Sequence, residues 1–202
     1  TGAFNLAMGI YSLFDNVAGS SNIAIGDQAL TNSLTSNNTA AGYYALRMNT
    51  TGANNTAFGK SAAATNTTGA SITAVGHNAL QYSTTGNSNT AIGWHAGNAN
   101  TTGAQNTYLG HTAGYLVTTG SNNTVLGRYS GNQGGLDIRT TSNNLVLSDG
   151  SGNPRFAFIT GTGHVMLGMS SGAGTNALKL DTVSGQVTYD TSSARYKDNI
   201  RP

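Results

Sequence analysis

Apolar side chains in this chain come in short bursts, each set between an asparagine-rich turn and a glycine. The bursts run Leu6-Ala7-Met8, Ile23-Ala24-Ile25, Ala40-Ala41, Ala57-Phe58, Ala74-Val75, Ala91-Ile92, Tyr108-Leu109 and Val125-Leu126. The closing glycine recurs every seventeen residues, at Gly9, Gly26, Gly42, Gly59, Gly76, Gly93, Gly110 and Gly127, with one sixteen-residue step between Gly26 and Gly42. A second series runs seven residues ahead of it: Gly2, Gly19, Gly52, Gly69, Gly86, Gly103 and Gly120. Its missing member falls in the short repeat, where Thr35-Ser36 replaces Thr-Gly, so one deletion accounts for both irregularities. A period this regular marks a repeat architecture.

With the periodic glycine as position 0, the repeats align in columns. Position −1 is apolar throughout, and position −2 is alanine until Tyr108 and Val125. Position −3 is Leu6, Ile23 and then threonine from Thr39 to Thr124. Position −4 is asparagine in every repeat except at Ile72, and position +3 is alanine in six repeats. The segment Asn-Thr-Ala-aliphatic-Gly is too short for a helix, and its composition favours an extended strand bounded by turns. A two-helix repeat needs about 34 residues, twice this period. The pattern therefore predicts an all-β fold, a parallel β-solenoid of eight ~17-residue coils. Coils stacked at about 4.8 Å make a rod roughly 38 Å long. The Asn and Thr columns then become ladders in which each side chain bonds to its equivalent one coil on.

Strand alternation sends positions −1 and −2 to opposite faces, and both are apolar. The larger, varied −1 column is expected inside the coil. The alanines at −2 are expected outside, where small residues allow close approach by another chain. Covering that face calls for several parallel chains about an axis, and a homotrimeric fibre is the expected assembly.

Composition changes this picture little until the repeats end. Only 8 % of the 202 residues are charged, cysteine is absent, and the formal net charge is +2. No basic cluster exists to neutralise phosphates, so no nucleic-acid partner is expected. No stretch approaches the ~18 apolar residues of a membrane span, and no insertion is expected. The chain opens within a repeat, at Thr1-Gly2, and is expected to be a piece or processed product of something longer. The repeats stop at Gln133-Gly134-Gly135, and residues 137–202 hold eleven of the sixteen charges. Three regions are expected: a solenoid shaft or head over 1–136, a β-rich interwoven tip over 137–190, and a distinct C-terminal segment over 191–202.

Among candidate chemistry, Gly59-Lys60-Ser61 is no phosphate loop, because six residues rather than four separate Gly52 from Gly59. His77 and His111 share column +1 two coils apart, roughly 9.6 Å, too far to hold one metal. No metal and no cofactor is expected. Columns +1 and +2 nevertheless form a stripe rich in rings: Tyr43, Tyr44, His77, Trp94, His95, His111 and Tyr129. Such stripes can stack on sugar rings, so these are the expected receptor contacts, with a cell-surface glycan or other surface receptor as partner. The Thr column also admits an ice-binding surface, in which case it should be exposed on a monomer and free of bulky rings.

Repeats such as Asn89-Thr90-Ala91-Ile92-Gly93-Trp94-His95-Ala96 resemble the head repeats of trimeric autotransporter adhesins, and more closely the longer Thr-Thr-Gly-x-x-Asn-Thr-Ala-x-Gly-x-x-Ala repeats of phage tail-fibre-like proteins. That resemblance spans residues 1–131. Thr191-Ser192-Ser193-Ala194-Arg195-Tyr196-Lys197-Asp198-Asn199-Ile200 resembles the opening of the intramolecular chaperone domain of endosialidase-type tail spikes, the S74 peptidase family. The family pattern is Ser-Asp-x-Arg-x-Lys-x-Asn-Ile, and Ser193 departs from its aspartate. The resemblance implies a domain that assembles three chains and then cuts itself free beside Ser192. Ser192 would be the nucleophile and Lys197 the base, a lysine serving when burial lowers its pKa. The implied protein is a receptor-binding fibre of a virion tail or a bacterial cell surface, without turnover beyond that single self-cleavage.

Overall fold

A computed structural model describes residues 2–159 throughout, and beyond them the backbone of three strands. Each repeat contributes one three-residue strand: β1 (Leu6–Met8), β2 (Ile23–Ile25), β3 (Thr39–Ala41), β4 (Thr56–Phe58), β5 (Thr73–Val75), β6 (Thr90–Ile92), β7 (Thr107–Leu109) and β8 (Thr124–Leu126). Successive strands pair in parallel, column on column, as in Thr56↔Thr73, Ala57↔Ala74 and Phe58↔Val75. The fold is thus the expected all-β parallel solenoid of eight coils. The sixteen-residue step leaves the register intact, with Ile23 facing Thr39. Its deletion falls in the Thr-Thr-Gly turn, where Leu34-Thr35 spans the corner.

The facing of the two apolar columns is the reverse of the expectation. The −2 column is the interior: Ala24, Ala40, Ala74, Ala91, Tyr108 and Val125 are all 0 % exposed. The −1 column points outward, with Met8 at 61 %, Phe58 at 58 % and Leu109 at 47 %. The reason is the narrowness of the coil. Inside, the −2 alanines meet the +3 alanines and a +4 column of Leu13, Leu30, Leu46, Ala63 and Leu80, all buried. Two legs that close leave room for one small and one medium residue, so the large varied column is excluded to the surface. Near-uniform alanine was the mark of a tight interior, and not of an interface.

Two polar ladders also lie inside. In column −4, the Asn side-chain oxygen accepts the next coil's Asn N–H, as from Asn55 to Asn38 at 2.9 Å, while its amide donates to a glycine carbonyl, as from Asn55 to Gly69 O at 2.9 Å. In column +7, asparagines such as Asn49 and Asn66 close the turn onto Gly52 O and Gly69 O. Threonine bonding differs from the expectation: the hydroxyls that reach the next coil belong to column +8, as from Thr50 to Thr67 O at 2.9 Å and from Thr67 to Thr84 O at 3.0 Å, and to Thr65 of column +6, which donates to Gln81 O at 2.8 Å. Among the described residues, the −3 hydroxyls make no such bond. Glycine at position 0 has no substitute. Gly59 has φ +133°, and a Cβ there would lie 2.6 Å from the Gly76 carbonyl oxygen.

The stack ends differently from the way it runs. A small hairpin, β9 (Asn132–Gln133) with β10 (Leu136–Asp137), enlarges the next turn. β11 (Asn144–Ser148) then lies parallel on β8, Val146 on Val125, and Asn144 N–H continues the ladder to Asn123 Oδ1 at 2.9 Å. The chain reverses thereafter. β12 (Pro154–Ile159) and β13 (His164–Leu167) add antiparallel to the same sheet, while β14 (Leu178–Leu180) and β15 (Val187–Tyr189) form a separate antiparallel pair.

Candidate functional site

Directly after each periodic glycine the backbone turns a corner. The +2 residue is left-handed in seven coils, from Tyr11 (φ 55°) to Thr112 (φ 56°), a conformation that costs a non-glycine residue about 1–2 kcal/mol. Its N–H is turned onto the preceding coil, as in His95 N–H to His77 O at 2.9 Å. This corner carries columns +1 and +2 out together, and stacking repeats them as a ridge along the solenoid.

Two ring clusters occupy the ridge. In the first, Tyr43 and Tyr44 stack with centroids 3.8 Å apart; Arg47 lies 4.5 Å over the Tyr44 ring and Lys60 lies 5.8 Å over Tyr43. In the second, Trp94 lies between two nearly parallel imidazoles, His77 one coil before at 6.5 Å and His111 one coil after at 4.7 Å. His95 sits 3.9 Å from Trp94, 5.5 Å from His77 and 5.7 Å from Tyr115. The Asn78 amide lies 3.2 Å from His95 Nε2, while the Nδ1 atoms of His77 and His95 are buried without a partner. Burial, then the charges of His77 and His111, holds the His95 imidazole below its ordinary range.

The ridge therefore gathers Tyr43 and Tyr44 in one cluster and His77, Trp94, His95 and His111 in the other. Tyr129 does not join them, and its expected receptor role is withdrawn. It is fully buried, its hydroxyl donates to Leu136 O at 2.7 Å beneath the β9–β10 hairpin, and burial pushes that hydroxyl far up. Ser192 and Lys197 lie outside the described residues. Arg47 and Tyr115, both in column +5, escaped the sequence reading. The signal that finds them is that column read beside +1 and +2, because the same corner brings all three together. Among the described residues no group of three His, Asp or Glu side chains is placed to hold a metal ion.

The geometry also restricts what the ridge can do. The indole faces of Trp94 are turned to its neighbouring imidazoles, and Tyr43 lies between Tyr44 and Lys60, so the clusters present ring edges and cationic heads outward. No protein-family model, curated protein or solved structure matches this chain.

Proposed function

We propose that this chain is a subunit of a homotrimeric fibre that attaches to a cell surface, in the manner of a phage tail fibre, outside the cell or on a virion. The observation that carries the proposal is the outward −1 column. Met8, Ile25, Phe58, Ile92, Leu109 and Leu126 form a continuous apolar line along the sheet, extended by Leu147 of β11. Contiguous apolar surface of this kind marks an interaction site. It repeats at the coil spacing, so the partner that fits it best repeats at the same spacing, and a further copy of this chain does so by construction. The chaperone-like motif at 191–200 supports the same reading, since three chains wound in register need help to align.

Ice binding is the weaker reading. Phe58 stands out of the sheet face that would carry the Thr array, and the −3 threonines there alternate with aliphatic residues instead of a second threonine. Sedimentation of the purified chain at micromolar concentration tests the assembly. A species of three times the chain mass is the expected result, and a stable monomer overturns it.

A further inference from the structure

We propose that the corner ridge binds an acidic polysaccharide, a chain of sugar rings bearing carboxylate or sulfate groups, laid along the solenoid axis. The inference rests on the attachment reading above and names the chemistry of what is attached.

Charge placement is the first support. Residues 2–136 contain three formal cations, Arg47, Lys60 and Arg128, and three histidines, His77, His95 and His111. All six fall in columns +1, +2 or +5, on one ridge of the rod. Two acidic residues share those coils, and only Asp27 of the two stands in column +1. The two ion pairs among the described residues, Arg139 with Asp137 and Arg155 with Asp149, lie past the coils. Arg47, Lys60 and Arg128 thus have no carboxylate partner among the described residues, and each is held near an aromatic ring or at the exposed corner.

Ring geometry is the second support. Neutral sugars are gripped by an open aromatic face, and here the faces are occupied by neighbours in the ladder. Trp94 and Tyr43 are nonetheless exposed, so what they offer solvent is chiefly the electropositive ring edge. Edges of this kind, set beside Arg47 and Lys60, suit an anionic oxygen.

Magnitude separates this partner from nucleic acid. From Lys60 to Arg128 is four coil spacings, roughly 19 Å. Duplex DNA presents roughly eleven phosphates over that length, at one charge per ~1.7 Å. The two formal cations at the ends of that span neutralise a small part of it, and with Arg47 one coil before they match a polymer with about one charge per sugar or two. The ridge also stays clear of the association face. Removing unpaired cations from water is costly, so copies associate through the apolar sheet and leave the ridge in solvent.

The test is biolayer interferometry of the whole chain against polygalacturonate, dextran sulfate, neutral dextran and duplex DNA. Binding to either acidic polysaccharide and not to dextran is expected, and the two arms distinguish carboxylate from sulfate. Raising ionic strength from ~0.1 M to ~1 M, which shortens the screening length from about 10 Å to 3 Å, should weaken binding about fivefold or more. The Lys60→Gln/Arg128→Gln variant should lose about tenfold, a difference of about 1.4 kcal/mol, while its melting temperature stays that of the parent. Dextran binding as tightly as its sulfate, DNA binding more tightly than either polysaccharide, or a variant that binds like the parent would each overturn the proposal. Sedimentation of the same samples reads the assembly separately. A trimer that ignores acidic polysaccharide defeats the ridge alone, and a monomer that binds it defeats the trimer alone.

Discussion

Asn55 makes two bonds that cross between coils: its amide donates to Gly69 O, and its oxygen accepts the Ile72 N–H at 2.9 Å. All three residues are buried. Truncation to alanine leaves the buried Ile72 N–H unpaired, at about 1–3 kcal/mol, while Gly69 O keeps its bond from the Asn66 amide. Asn55→Ala should therefore cost about 1–3 kcal/mol, read from chemical denaturation of the two proteins side by side. A loss under ~0.5 kcal/mol would mean the ladder contributes nothing net. Ile72 shows the one tolerated departure, a side chain that fills the column's volume without its amide. His95 carries a different sensitivity. Its folded pKa lies below the unfolded value of ~6.5, so the unfolded chain binds the proton more readily. The stability it contributes is present above that value and is lost as pH falls through it toward the lower folded one. The parent's melting temperature should drop more between pH ~8 and ~5.5 than that of His95→Asn, which keeps a residue suited to left-handed backbone. Parallel melting-temperature profiles would discard this account.

A single coil is the next unit, and its interior conserves volume across columns. Where Tyr108 replaces alanine at −2, position +4 becomes glycine at Gly97 and Gly114. A Cβ at Gly114 would lie 2.2 Å from Tyr108 Cδ1, and one at Gly97 would lie 2.5 Å from Cδ2. The backbone there is left-handed in either case, φ 63° at Gly114 against 49° at Leu80, so leucine is compatible with the position once the ring is gone. Tyr108→Ala alone should cost about 3–5 kcal/mol through the cavity it opens. Gly114→Leu alone overpacks the ring and should cost about 1–3 kcal/mol or more. The double variant should recover a substantial part of the sum, since residues in contact do not behave additively. Strict additivity in denaturation would mean that the two sites are not exchanging volume. The swap was legible in the −2 and +4 columns as text, yet nothing in the text said that those two columns touch.

At the scale of the whole rod, the faces divide the work by polarity. The sheet face carries the apolar −1 column, and the corner carries the rings and cations. Placing a charge on the first should act on assembly and not on the coil, because Ile92 and Leu109 are outside the interior. Ile92→Asp with Leu109→Asp is expected to yield a folded monomer in sedimentation, with the parent's circular dichroism. A variant that remains trimeric would place the interface elsewhere. The expected grouping of receptor residues was partly legible for the same reason: equivalent positions of stacked coils must adjoin, which brought His77, Trp94 and His111 together. Tyr129 stood in the adjoining column +2, but the hairpin after it folds over that coil and no column position predicts a lid.

What the sequence by itself determined is everything that translation along the axis copies. The glycine period set the coil, the Asn column set the register, and stacking at a constant spacing turned each column into a line of neighbours. What only the tertiary structure decided is how far apart the two legs of one coil stand. That distance admits an alanine opposite a leucine and little more, so it turned the −2 column inward and sent the larger −1 side chains to the surface. Side-chain size along a strand cannot report the gap it must fill. The same closure also set Arg47 over Tyr44 of its own coil and Tyr115 beside His95 of the coil before.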